Sequence, residues 1–167
     1  MNQINFFQSF TSANTCVKQI PALFKKYGHL FGPKNIDVGG GKYDLGSNFL
    51  KSKFGIDSCI YDPFNRTKEF NDNTLKDFFG IFDSATIANV LNVIKEQEVR
   101  IELINFVKNA IKKQRKAYFA IYEGSRNGTG CVTKKGYQNN KKAAEYGKEI
   151  ASVFSNIKRS GHFIIAY

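Results

Sequence analysis

The chain has 167 residues, 42% of them apolar and 14% aromatic, enough for one domain with a full core and too few for two. It has no apolar run of about 18 residues, so no membrane-spanning helix is expected, and its first ten residues lack the basic start and apolar stretch of a signal peptide. The net charge of +11 is uneven: residues 1–107 carry 12 basic and 11 acidic groups, residues 108–167 carry 13 and 3, a concentration that would draw in a polyanion.

The pattern predicts a peripheral helix over 16–27, capped by Ser12 or Thr15, with Ile20, Leu23 and Phe24 on one face. Pro21 confines its regular part to the residues from Gln19 or Ile20 onward, and Gly28 ends it. A short strand over 35–38 runs into Gly39-Gly40-Gly41, and a helix follows from Tyr43 to about residue 54, ended by Gly55. A second strand over 58–61 meets Asp62-Pro63-Phe64. A turn at 71–73, a short helix over 74–79 and a third strand over 84–89 come next. A helix over 97–114 places Val99, Leu103, Phe106, Val107, Ala110 and Ile111 at three- and four-residue steps. A fourth strand over 117–122 leads into a Gly-rich loop over 123–136. The chain closes with a helix over 139–154 and a strand over 162–167, paired antiparallel with 155–158.

This alternation predicts a single Rossmann-like α/β domain, a mostly parallel sheet flanked by helices with an antiparallel C-terminal strand. Residues 1–33 form its N-terminal helical segment, 34–125 its cofactor-binding core, and 126–167 its basic loop, helix and closing strand. Ligands in such sheets bind beyond the carboxyl ends of the strands, where Gly39, Gly40, Gly41, Asp62, Asn89 and Tyr122 fall.

The glycines let the backbone turn tightly and approach a ligand, and the following helix N-terminus offers free N–H groups. The turn is neither GxGxxG nor a phosphate loop of the GxxxxGK[ST] type. Asp37, which begins it, suits a ligand with an amino group. Asp62 ends the next strand 25 positions later, where a carboxylate accepts both hydroxyls of a ribose.

Asp37-Val38-Gly39-Gly40-Gly41 resembles the first motif of class I S-adenosylmethionine-dependent methyltransferases. Asp62 stands at the ribose acid of that family, and 83–94, with Asn89-Val90-Leu91-Asn92, resembles its fourth-strand motif. The resemblance implies S-adenosylmethionine as cofactor, held by Asp37, Gly39, Gly40, Gly41, Asp62, Phe64, Asn89 and Leu91, and no metal. Asp62-Pro63-Phe64, Asn89–Ile94 and Arg100 are also similar to methyltransferases associated with bacterial and phage DNA-modification systems. Only about twenty residues separate Asp62 from Asp83, so one strand-helix step is shortened or missing. No separate target-recognition domain is present, which leaves target choice to loops, a second copy or a partner chain.

Methyl transfer is an in-line displacement that needs positioning and sometimes a base. The Asn/Asp-Pro-Pro-aromatic signature of exocyclic-amine methylation is absent at Asn89–Asn92. Glu123 and Tyr122 are the catalytic candidates. Cys131 is a candidate nucleophile beside Lys134 and Lys135, although most free cysteines are inert. Arg126, Lys134, Lys135, Lys141 and Lys142, with Tyr137, form the candidate contact to nucleic acid, DNA or RNA, with DNA favoured. The scattered Cys16, Cys59 and Cys131 fit a reducing cytoplasm. The alternatives are a small-molecule or protein methyltransferase, or a degenerate cofactor-binding regulator.

Overall fold

The computed structural model describes residues 8–76 and 78–167; residue 77, inside the helix expected over 74–79, and the first seven residues, which the leader expectation also covers, lie outside it. Four strands, β1 (Lys34–Val38), β2 (Asp57–Tyr61), β3 (Phe82–Ala88) and β4 (Ile111–Ala120), pair in parallel. A short hairpin, β5 (Cys131–Thr133) and β6 (Gly136–Gln138), stands apart from them. The last two, β7 (Ile157–Ser160) and β8 (Phe163–Ala166), pair antiparallel, and β8 runs antiparallel beside β4. The main sheet has the order β2-β1-β3-β4-β8-β7.

Successive residues in a strand face opposite sides, and both sides here are covered. Ile36, Val38, Ala85, Ile87, Ala117 and Phe119 pack on the layer of α4 (Gln97–Ala110) and α5 (Ala143–Ala151). On the other side Tyr118 and Ala120 join α1 (Ala22–Tyr27) and α2 (Leu45–Phe54) through Leu23, Phe24 and Leu50. That second side also holds a buried polar ladder. Asn35 donates to Ser58 Oγ (2.9 Å) and Thr86 Oγ1 (3.2 Å) and accepts from Ser84 (2.8 Å). Thr86 donates in turn to Asp37 (2.9 Å), its register partner.

The shortened step is present. Between β2 and β3 there is one helix, α3 (Lys68–Leu75), and no strand among the described residues, so β2 is an edge. Side chains of α3 close that edge as a neighbouring strand would. Asn71 accepts from the Asp62 N–H and donates to its carbonyl, both at 3.0 Å, and Thr74 donates to the Ile60 carbonyl at 3.0 Å. The turn and helix expected at 71–79 are therefore corrected to a helix that starts earlier, capped by Thr67, whose Oγ1 accepts from the Phe70 N–H at 3.2 Å.

Other boundaries also move. α1 begins only after Pro21, which precedes it in extended backbone (φ −55°, ψ 137°). The helix over 97–114 stops at Ala110, because Lys112–Lys116 belong to β4: its register with β3 shifts between Phe82 and Ser84, Gln114 takes φ 63°, and Lys112 and Arg115 meet Asp83 at 2.8 and 3.7 Å. Hydrogen bonding by Lys112 above all holds the Asp83 carboxyl below the usual range. The expected loop over 123–136 folds its second half into the β5–β6 hairpin, and the last helix is shorter than 139–154. No helix among the described residues is long and apolar enough to cross a membrane.

Candidate functional site

The carboxyl ends of β2, β1, β3 and β4 open into a cleft of about 770 Å3, within the size range of small-molecule sites. Its floor is the turn after β1. Gly39 and Gly41 take φ of 74° and 77°, a region that side chains avoid. A Cβ on Gly39 would stand 2.4 Å from Val90 Cγ2, one on Gly40 2.4 Å from Asp37 Oδ2, and one on Gly41 2.4 Å from Cys16 Sγ. All three glycines are thus required by close approach, and Gly39 and Gly41 by conformation as well.

Two carboxylates flank the turn. Asp37 is buried at the end of the polar ladder. Its pKa is pushed up to about 7, first by burial and then by the Asp62 charge, against the opposing Thr86 hydrogen bond. Asp62 is also buried, but each of its oxygens has donors. Oδ2 accepts from the Gly41 N–H at 2.8 Å, and Oδ1 from the Phe64 and Asn65 N–H groups at 3.0 Å each. The Asn65 side chain adds bonds of 3.2 and 3.1 Å. Arg66 holds the turn from the other side, donating to the Gly41 carbonyl (2.8 Å) and pairing with Asp44 (2.7 Å).

The cleft brings together Asp37, Gly39, Gly40, Gly41, Asp62, Phe64, Asn89 and Tyr122, as expected from their strand ends. Asn89 takes φ 60° and donates its N–H to the Ala120 carbonyl at 2.8 Å, which ties the ends of β3 and β4. Leu91 is corrected: it is wholly buried in the core and does not line the cleft, because the 3-10 turn Leu91–Val93 points it inward.

Glu123 is corrected as a candidate base. It does not line the cleft; its Oε1 accepts the Ala143 N–H at the start of α5 (2.6 Å) and its Oε2 pairs with Arg126 (2.7 Å). It fastens a helix start. Tyr122 lines the cleft and is 61% exposed. Cys131 lines the cleft and is exposed.

The basic residues separate into two groups. Lys112, Lys113, Arg115 and Lys116 lie in the first half of β4, at the end of the sheet away from the cleft. Lys134 and Lys135 sit on the hairpin turn, where Lys135 lines the cleft; Lys141 and Lys142 precede α5, and Arg126 is spent partly on Glu123. Excess charge over 108–116 therefore cannot act at the site.

Some parts of the site were not among the expected site residues. Ser12, Thr15, Cys16 and Val17 form a wall over the glycine turn, with Cys16 Sγ accepting from the Lys42 N–H at 3.4 Å. The hairpin covers the other side, and Phe10 stacks on Tyr137 at 5.2 Å between ring centres, so the two coverings meet. Asn92 and Gln138 join across the wall at 3.0 Å. Asn139 donates to the Leu91, Asn92 and Ile94 carbonyls at 3.4, 3.3 and 2.6 Å and braces that loop.

No family model matches the chain, and no curated protein does. Solved structures do match. DesVI of Streptomyces venezuelae superposes with a TM-score of 0.60 at 9% identity over 87% of this chain and 90% of its own. The Burkholderia thailandensis 1,6-didemethyltoxoflavin-N1-methyltransferase, solved with its namesake ligand and S-adenosylhomocysteine, gives 0.60 at 11% identity over 92% and 74%. Human N-acetylserotonin methyltransferase, in complex with S-adenosylmethionine, gives 0.55 at 14% over 86% and 52%. The chain thus spans most of the first two and about half of the third. Together with its sheet order and glycine turn, these matches give the chain the class I S-adenosylmethionine-dependent methyltransferase fold, in a form whose sheet ends at β2.

Proposed function

We propose that the chain is an S-adenosylmethionine-dependent methyltransferase that acts on nucleic acid, DNA in the first instance. The observation that carries the cofactor is the glycine floor between two buried carboxylates, in a cleft with room for a nucleoside and an amino-acid tail. Asp62 would hold the ribose hydroxyls, Asp37 the amino group, and Phe64 the adenine. The cofactor supplies an electrophilic methyl group on a sulfonium. The chain's part is to orient the acceptor and keep water out, and the covering by Ser12–Val17 and the hairpin suits that.

Exposed Tyr122, which lines the cleft, and Lys134 and Lys135 on the hairpin support a nucleic-acid acceptor, with a ring for stacking and charges for phosphate. A second copy or a partner chain would supply target choice. The contact of Phe10 with Tyr137 favours a second reading, a small planar acceptor enclosed by the roof. Calorimetry with S-adenosylmethionine and S-adenosylhomocysteine tests the cofactor, and no heat with either sinks it. Titration of single-stranded DNA against salt tests the acceptor: affinity falls steeply with salt, and Lys134→Ala with Lys135→Ala lowers the slope of log K against log salt by roughly 1.4. A slope of zero leaves the small-molecule reading.

Cofactor affinity will also depend on pH. Only the ionised form of Asp37 pairs with an ammonium group, and its pKa is about 7. Binding therefore tightens as pH rises to about 7, by up to about tenfold per unit, and then levels off. Asp37→Asn flattens the profile; a wild-type affinity constant between pH 5.5 and 8.5 removes Asp37 from that role. For folding without ligand the sign is reversed. The folded chain holds this proton more tightly than the unfolded one, so this group's contribution to stability falls as pH rises from 3.8 towards 7.

A further inference from the structure

The basic residues over 112–116 have no part in the cleft, and the fold gives them a place of their own. Between the pairs Phe82–Ile111 and Ser84–Lys116, β3 advances two residues and β4 advances five, so β4 carries three extra residues there. β8 pairs with β4 only from Ala117 onward. Lys112–Lys116 therefore stand clear of the neighbouring strands, and all five are exposed although β4 lies inside the sheet. A bulge re-aims side chains that a regular strand would hold against its neighbours. This one sets Gln114 at φ 63°, a conformation that residues other than glycine seldom take.

Folding accounts for part of this charge and not for the rest. Asp83 pairs with Lys112 and Arg115 and accepts the Lys34 N–H at 3.2 Å, but one carboxylate offsets one charge. Lys113 and Lys116 have no carboxylate partner among the described residues. Residues 108–116 hold five basic side chains and no acidic one. Two exposed rings flank the bulge. Tyr167, 48% exposed, follows β8 directly and lies under Lys116 Nζ at 5.8 Å. Phe79, 65% exposed, stands on the β3 side, where the Gly80 N–H donates to the Asn109 carbonyl at 2.9 Å and sets that turn against the chain just before the bulge. Cations alone attract any polyanion. A row of cations with a ring on either side suits one whose bases are free to stack. An acidic peptide would leave the rings unused, and a duplex keeps its bases paired inside.

We propose that this end of the sheet, Lys113, Arg115 and Lys116 with Phe79 and Tyr167, is a second binding surface that takes single-stranded nucleic acid, phosphates on the cations and bases on the rings. It lies at the amino ends of β3 and β4, whereas the cleft lies at their carboxyl ends. It holds a strand without presenting it for reaction, and it does not depend on which acceptor the cleft takes.

The test titrates labelled oligothymidylate and oligouridylate with the whole chain from about 50 to 200 mM salt. Lys113→Ala with Lys116→Ala lowers the slope of log K against log salt by roughly 1.4. Phe79→Ala weakens binding about tenfold. These side chains are exposed, so the variants melt within about 2 °C of wild type. Both effects persist when Lys134 and Lys135 are also replaced by Ala, which separates the two surfaces. An unchanged slope in the Lys113 and Lys116 variant, or a Phe79→Ala affinity within about twofold of wild type, overturns the proposal and leaves the cleft to be judged on Lys134 and Lys135 alone. Loss of slope at Lys113 and Lys116 with none at Lys134 and Lys135 supports this surface and removes nucleic acid from the cleft. Polyglutamate of the same charge, or phosphatidylglycerol vesicles, bound as tightly as the oligonucleotides would overturn it in favour of an acidic protein or a membrane surface. A wild type that binds neither oligonucleotide overturns both nucleic-acid readings and leaves the cofactor reading standing.

Discussion

Asp62→Ala is expected to weaken S-adenosylhomocysteine binding by about 100-fold or more in calorimetry. A carboxylate that accepts two ribose hydroxyls makes two hydrogen bonds to a charged group, each worth roughly 1.5–3 kcal/mol, and 1.4 kcal/mol is a factor of ten. The structure adds a second reason. Asp62 Oδ2 holds the Gly41 N–H and its Oδ1 the Phe64 and Asn65 N–H groups, so its loss frees the glycine turn from β2 as well as removing the ribose partner. The Asn65 side chain is different. Its bonds to Asp62 are long, 3.2 and 3.1 Å, one to each oxygen, so ribose hydroxyls bound to Asp62 would replace them. Asn65→Ala should therefore leave affinity within about threefold, because the ligand replaces the lost donor. A folded Asp62→Ala variant that binds within threefold of wild type would place the ribose elsewhere.

This contrast shows how far residue patterns reach. Gly39–Gly41 and Asp62 are visible in the chain because each sits at the end of a short apolar strand, and strand ends converge in a parallel sheet. The missing step between Asp62 and Asp83 follows from counting residues. What a linear reading cannot see is how polar side chains choose partners. Asn71 looks like a turn residue among Asn71, Asp72 and Asn73, yet its amide serves as the missing neighbour of β2. Glu123 sits three residues past the end of β4, where a base would stand, and is turned to the start of α5 by the Ala143 N–H. Lys112–Lys116 continue a helical pattern, but Ile111 pairs with Phe82 and Asp83 takes two of the basic groups, so the segment extends as strand. In each case a contact more than fifteen residues away, or a buried backbone group in need of a partner, outweighs local pattern. Ser12 and Thr15 read as caps and Cys16–Val17 as the start of a helix, yet the wall they form is irregular backbone over the glycine turn.

Glu149→Leu is expected to cost about 3–5 kcal/mol, through a side chain that nothing in the pattern of α5 singles out. Arg100, on α4, is 1% exposed, and its Nε and NH2 groups donate to the two Glu149 oxygens at 2.8 and 2.6 Å. Its third nitrogen donates to the Ile94 and Lys95 carbonyls at 2.9 and 2.8 Å. Removing the carboxylate leaves a buried guanidinium half unpaired, which costs far more than the pair contributes over an apolar substitute. For a chain of this length the loss lowers the melting temperature by roughly 6–20 °C in thermal unfolding. Arg100→Met combined with Glu149→Leu should recover most of it, since no charge is then left in the core. Recovery of the cleft will be poorer than recovery of the fold. The Ile94 and Lys95 carbonyls lose their donor in the double variant, and they belong to the loop that Asn139 braces behind Asn92. The S-adenosylhomocysteine affinity of that variant should stay below wild type while its melting temperature returns, and a Glu149→Leu protein that melts within about 2 °C of wild type would show that the pair does not hold the two helices together.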